Sequence, residues 1–374
     1  MKSESTLFES AAQADSRSHK TALNRPRAVW LFSARTDLLI FAGSAALSLL
    51  ALLVGAQLGV LNKDTPDWAW IPAVLLIDVA HVYSTGFRVY LDRDEFRRRP
   101  WLYGLVPGLG LILGIALYSE GALVFWRALA WLAVFHFVRQ QYGWVALYRA
   151  KAGERDGAGR WIDTLAIYAA TIYPLLYWHT HLPRRFWWFL ENDFTALPAL
   201  ISELAAPVYW LLMFLYFARS AYRWLLKGEI NPGKDLVVLT TAVCWYVGII
   251  TFNSDYAFTV TNVIIHGVPY LALIYWYCRR RLESANGRKL SRLFRHSFAH
   301  GPAVFLFILW ALAFIEEMFW DRSVWHERAW LFGAGWEVES WRVVIVPLLA
   351  LPQLVHYVLD GFIWRRRSNP DFSL

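Results

Sequence analysis

The segment Phe135–Tyr148, FHFVRQQYGWVALY, carries polar side chains inside a long apolar run. His136, Arg139 and Gln140 lie three and four positions apart, and Gly143 follows seven positions after the histidine. On a helix this spacing puts all four residues on one narrow face. An ionisable side chain inside a bilayer costs several kcal/mol unless it is paired or faces a protein-lined cavity. We therefore expect this face to meet other polar groups within the protein.

The rest of the chain has the composition of a helical membrane protein. Of its 374 residues, 57% are hydrophobic and only 18% are charged, and the mean hydropathy is +0.33. Apolar runs of about 20 residues recur, which is the length needed to cross the hydrocarbon core of a bilayer. The sequence predicts an all-α, polytopic membrane protein with ten spans. They lie near residues 37–61, 69–91, 101–118, 122–147, 161–178, 204–226, 235–252, 257–278, 302–319 and 341–363.

The loops predict the orientation of these spans. Lys and Arg concentrate in the loops of one side, notably Arg149–Arg160 and Arg279–Arg295, whereas the short loops of the other side hold almost none. Because cytoplasmic loops carry the excess of positive charge, both termini are predicted to be cytoplasmic, and we expect a bacterial inner membrane. Residues 1–35 are predicted to form a polar cytoplasmic tail, and residues 36–374 a single transmembrane domain. Topology thus explains the net charge of +8 without a nucleic-acid partner.

Three further predicted spans each carry a histidine with a polar side chain one helical turn away. The pairs are Asp78 with His81, Asn262 with His266, and His356 with Asp360. All four histidine-bearing spans are predicted to run from outside to inside. The histidines stand about eight to twelve residues before the cytoplasmic ends, which is roughly 12–18 Å at about 1.5 Å per residue. The sequence therefore predicts that the four imidazoles share one layer near the middle of the bilayer.

Such a layer suggests a metal site. Neutral imidazole is the commonest protein ligand for metals, and iron, copper and zinc all accept it. The predicted metal ligands are His81, His136, His266 and His356, and iron is the favoured ion. The residues predicted to act beside them are Asp78, Arg139, Gln140, Asn262 and Asp360.

These five polar residues have different expected roles. Asp78 and Asp360 are expected to bind the ion or to accept hydrogen bonds from imidazole N–H groups. Gln140 and Asn262 are expected to orient the ligands. A guanidinium would repel a cation, so Arg139 is expected to pair with one of the aspartates or to bind an anionic or carbonyl group of a substrate.

The favoured hypothesis is a membrane-embedded, metal-dependent oxidoreductase or oxygenase whose lipophilic substrate enters from the lipids. Walker A, GxSxG and CxxCH motifs are absent, which argues against the enzyme classes and the covalent haem attachment that they mark. The arrangement is similar to that of the Brp/Blh-type carotene dioxygenases, multi-span proteins in which histidines from separate helices bind iron, although their local sequence motifs are missing. Two alternatives stay open: a b-type haem electron carrier, and a proton- or ion-coupled transporter that uses the polar stripe.

Overall fold

Ten long helices dominate the part of the chain that the computed structural model describes, residues 28–283, 290–299 and 301–365. In chain order they are α1 (Ala34–Gln57), α2 (Asp67–Arg88), α3 (Pro100–Glu120), α4 (Ala122–Ala152), α5 (Gly157–Thr180), α6 (Leu200–Lys227), α7 (Pro232–Thr251), α8 (Asp255–Glu283), α9 (Pro302–Trp325) and α10 (Glu339–Ile363). Shorter helices cover Arg93–Arg98, Arg292–Ala299 and Ala329–Phe332. No strand occurs in these ranges, so the predicted all-α class is confirmed. The predicted tail lies outside the described residues, except for residues 28–35.

Nine of these ten long helices are long and apolar enough to cross a membrane. The remaining one, α5, has 24 residues. It is not among the nine, because its tyrosines, its tryptophans and Pro174 lower its hydropathy. These nine helices support a membrane protein, while the direction in which each one crosses stays a prediction.

Helix α8 forms the centre of the bundle. In its most apolar stretch 89% of the residues are buried, against 17% for α3. Helices α1, α2 and α7 pack directly on α8. Helix α2 also contacts α10, and α10 contacts α4. The four helices that carry the predicted histidines therefore lie side by side.

Helix α2 changes its winding just before its histidine. Residues Ile71–Val79 form a π-helical segment, and regular α-helix resumes at Ala80. Asp78 belongs to the wide segment and His81 to the regular one. Such π-helical turns are often found at functional sites, because they re-aim the side chains that follow.

A buried ion-pair network joins the ends of α4, α5, α6 and α7. The fully buried Asp163 binds Arg149 and accepts a hydrogen bond of 2.9 Å from Lys234. Glu154, in the connection between α4 and α5, lies 2.7 Å from Lys234 and 3.0 Å from Arg223. Burial alone would raise the pKa of Glu154, but these cations and a neighbouring amide lower it to about 2. The carboxylate of Glu154 is therefore charged at neutral pH.

Candidate metal centre

Helices α2, α4, α8 and α10 each bring one histidine to a single point. One ring nitrogen from each of His81, His136, His266 and His356 lies within 4.8 Å of the other three. No imidazole is more than 2% exposed. The Nε2 atoms of His81 and His266 are 3.2 Å apart, and so are those of His136 and His356. The four histidines come together as predicted, and the cluster could hold a metal ion.

The spacing of these nitrogens matches a shared ion. Two nitrogens bound at about 2.1 Å are about 3.0–3.4 Å apart when they subtend 90–109° at the ion, and about 4.2 Å apart when they are opposite. The two Nε2 pairs at 3.2 Å fall within the first range. The 4.8 Å limit exceeds the second by about half an ångström, which small side-chain rotations can close. All four donors are imidazole nitrogens, a set that suits iron, copper, nickel and zinc.

The imidazoles form a closed square of neighbouring rings. His81 meets His266 and His356 with ring centroids 4.8 Å apart in both pairs, at interplanar angles of 87° and 85°. His136 meets the same two rings at 5.1 and 4.6 Å. Each ring therefore presents an edge to the next, and the Nε2 atoms meet in two pairs, His81 with His266 and His136 with His356.

The two aspartates lie behind the histidines rather than in the centre. Asp78 Oδ1 is 3.6 Å from Nδ1 of His81, and Asp360 Oδ2 is 3.6 Å from Nδ1 of His136. These separations are too long for a direct hydrogen bond. A small movement or one bridging water would make each carboxylate the acceptor of an imidazole N–H, which leaves Nε2 free to bind an ion. Asp360 is further anchored by the indole of Trp364, which donates to Oδ1 at 2.6 Å.

The other two histidines have different support. Thr85 Oγ1 lies 2.7 Å from Nδ1 of His356, the shortest contact between an imidazole of the cluster and a neighbouring side chain. His266 Nδ1 has no hydrogen-bond partner among the described residues. Instead its ring stacks flat on Phe137, with centroids 3.5 Å apart and planes 6° apart. One ring is thus oriented by a hydroxyl and the other by stacking.

Gln140 and Asn262 brace the backbone near the site. Gln140 Nε2 donates to the carbonyl oxygen of His266 at 2.9 Å and so ties α4 to α8. Asn262 Nδ2 donates to the carbonyl of Phe258 at 3.0 Å within α8. The amide oxygen of each side chain, Oε1 of Gln140 and Oδ1 of Asn262, is buried without a hydrogen-bond partner among the described residues. Neither side chain touches an imidazole by a hydrogen bond, so any orienting effect on the histidines acts through the helices.

Arg139 does not join the cluster. Its side chain is exposed on α4, donates to the hydroxyl of Tyr168 at 2.6 Å and lies over the ring of Tyr142. The prediction that it pairs with an aspartate is wrong. Arg139 lies at the edge of the polar face of α4, next to helix α5, which carries Tyr168.

Two aromatic neighbours of the site were not predicted from the sequence. Phe137 stacks on His266, and the ring of Tyr357 lies 5.0 Å from that of His136. Each follows a site histidine in the chain, and so points about 100° away from it and towards the histidine of another helix. The pairing needs the relative placement of two helices, which no pattern within one helix contains.

Comparisons with protein-family models, with curated proteins and with solved structures found no match to this chain, so the chemistry of the centre is argued from its own geometry.

Proposed function

We propose that the four histidines bind one iron ion and that the protein is a membrane-embedded oxidoreductase acting on a lipophilic substrate. The observation that carries this proposal is the convergence of four buried imidazole nitrogens, from four different helices, within 4.8 Å of one another. Four nearly unexposed imidazoles with no structural purpose would be an expensive arrangement, since buried polar groups destabilise a protein unless they are satisfied.

The ligand set favours a redox ion. Iron held by four neutral imidazoles would supply one-electron redox chemistry and keep two of its six coordination positions for reactants. Zinc held by four protein ligands is closed and structural in most proteins. Calcium takes oxygen ligands and structural zinc sites usually include cysteine thiolates, and the four-imidazole set contains neither.

The surrounding residues hold the imidazoles in the form that binds a metal. Thr85 Oγ1 lies 2.7 Å from Nδ1 of His356. If Nδ1–H donates to this hydroxyl, the lone pair of Nε2 is left free to bind the ion. Asp78 and Asp360 stand where they favour the same tautomer of His81 and His136. The flat face of Phe137 keeps the ring of His266 from rotating.

A lipophilic substrate suits the surface beside the site. A groove of about 330 Å³ lies between α3, α4 and α10, and its lining is apolar throughout, with leucines such as Leu109, Leu132 and Leu354. Helices α4 and α10 also carry two of the histidines. Leu132 lies one turn before His136, so an apolar molecule in the groove would lie next to the wall of the metal centre.

The geometry favours a single ion over haem. The two axial nitrogens of a haem iron would be about 4 Å apart, with the whole macrocycle between the two imidazoles. Here each ring packs edge to face against two others, with centroids 4.6–5.1 Å apart, and the square has no slot for a macrocycle. A haem would give purified protein an intense Soret absorption band, whereas an iron–imidazole centre would not.

The test is metal analysis of the full-length protein purified in detergent, together with an absorption spectrum. We expect about one iron per chain in the wild type and little or none in His356→Gln, which keeps size and hydrogen bonding but removes an imidazole. His296→Gln, in the short helix Arg292–Ala299, is the matched control and should keep its metal. Wild-type protein without stoichiometric metal and without a chromophore would refute every cofactor role, and a proton- or ion-conducting role for the polar stripe would become the leading one.

A further inference from the structure

A second polar site lies at the far end of α4 and α6, away from the histidines. A cavity of about 670 Å³ opens between the connection from α4 to α5 and the connection from α6 to α7. The charged side chains that line it are Glu154, Arg155, Asp156, Arg219, Arg223, Lys227 and Glu229. The proposed metal centre does not involve this cavity.

The carboxylates of the cavity are already neutralised. Arg219 Nη2 binds Asp156 at 2.8 Å, and Arg223 Nη1 binds Glu154 at 3.0 Å. Burial alone would raise the pKa of Asp156, but the hydrogen bond and charge of Arg219 lower it. These two acids are therefore charged, and Arg223 also binds the third carboxylate of the lining, Glu229, at 3.0 Å.

Two cationic side chains of the lining have no carboxylate partner among the described residues. Arg155 lies in the connection from α4 to α5 and Lys227 is the last residue of α6, and neither forms an ion pair with a carboxylate in the described part of the chain. Both are exposed, and the ammonium of Lys227 lies over the ring of Tyr222 at 5.6 Å. The lining thus carries positive charge from two separate segments and would favour an anion.

Apolar side chains stand directly beside this charge. Trp224, Leu225 and Leu226, the three residues before Lys227, are 61%, 72% and 74% exposed. A water-soluble surface rarely exposes three large apolar side chains in a row, whereas a surface that meets lipid does. The site therefore combines a cavity that carries positive charge with an adjacent exposed apolar surface. This combination fits an amphiphilic molecule with an anionic headgroup.

We propose that this cavity binds the phosphodiester headgroup of a glycerophospholipid, with Arg155 and Lys227 on the phosphate and the acyl chains along Trp224–Leu226. Basic pockets between membrane helices recognise lipid headgroups through the same charge attraction. The site would hold a lipid at the end of the bundle where the network of Asp163 and Glu154 ties four helices together.

The experiment uses delipidated full-length protein in detergent and native mass spectrometry. Dioleoylphosphatidylglycerol is titrated against dioleoylglycerol, which has the same chains and no phosphate, and against inorganic phosphate. We expect one tightly retained phospholipid per chain, little retention of dioleoylglycerol, and no displacement by millimolar phosphate. The double variant Arg155→Gln, Lys227→Gln should bind the phospholipid about tenfold more weakly or worse, because each cation near a membrane surface contributes to lipid attraction.

The matched control is the double variant Lys151→Gln, Arg160→Gln. It removes the same charge from exposed positions near the same connection that do not line the cavity. Its affinity should stay within about twofold of the wild type. Equal losses in both double variants would show non-specific attraction and overturn the proposal. Equal retention of dioleoylglycerol by the wild type, or displacement of the lipid by inorganic phosphate, would also overturn it. Metal content is measured in the same samples, so failure of this site is distinguishable from failure of the metal centre.

Discussion

Thr85 offers the sharpest test of how the centre holds its histidines. Nδ1 of His356 lies 2.7 Å from Thr85 Oγ1, and Tyr270 approaches the same oxygen at 3.3 Å. If His356 binds a metal through Nε2, its Nδ1 must carry the proton and Thr85 must accept it. Thr85→Val keeps the shape of the side chain and removes that acceptor. The buried N–H then lacks a partner, which costs about 1–3 kcal/mol of stability, and we expect metal affinity to fall about 10–100-fold.

The assay is a competition between the purified protein and a chelator of known affinity, run together with thermal unfolding. Thr171→Val is the matched control, because Thr171 is also buried in a helix and its hydroxyl bonds only to carbonyl groups of its own helix. It should leave metal affinity within about twofold of the wild type, since the lost hydrogen bond is local and weak. Unchanged metal affinity in Thr85→Val, or an equal loss in Thr171→Val, would refute the idea that the hydroxyl selects the binding tautomer.

Three further outcomes are expected. Asp360→Asn should weaken metal binding only about 10–100-fold, because the carboxylate faces Nδ1 of His136 rather than the ion; complete metal loss would instead make Asp360 a ligand. The folded-state pKa of Glu154 is about 2, below its ordinary 4.5, so its contribution to stability is present above pH 4.5 and disappears as the pH falls towards 2. That contribution is on the order of 3 kcal/mol, and thermal unfolding should show Glu154→Gln to be less sensitive to acid over this range. A reporter fused after Arg367 should be cytoplasmic and one inserted within Glu191–Ser202 external; the reverse result would invalidate the predicted orientation.

The helices were predictable because apolar length is written directly in the chain. All ten predicted spans correspond to helices, although several extend further than predicted: α4 continues to Ala152 and α8 to Glu283. The added turns are polar and basic, so hydropathy could not include them. They persist because their charged groups find partners, as Arg149 does with Asp163.

The site was partly predictable for a different reason. A histidine with a polar neighbour one turn away indicates which side of its helix needs a partner, and equal depth in four spans suggests that the partners are one another. The direction of Arg139 was not predictable, because a residue at the edge of a stripe can face either neighbour. In the structure the guanidinium of Arg139 donates a hydrogen bond to the hydroxyl of Tyr168 on α5, so it needs no carboxylate partner in the core.

By itself the sequence determined the all-helical class, the ten long helices of the described residues and the four histidines that needed burial. Length, hydropathy and helical periodicity are properties of each segment alone. Only the tertiary structure decided that one ring nitrogen of each histidine lies within 4.8 Å of the others, that Asp78 and Asp360 stand behind the imidazoles, and that Phe137 stacks on the histidine of another helix. Those features depend on the rotation and offset of one helix against the next. Packing of side chains from different segments sets these two quantities, and the periodicity of one segment does not contain them.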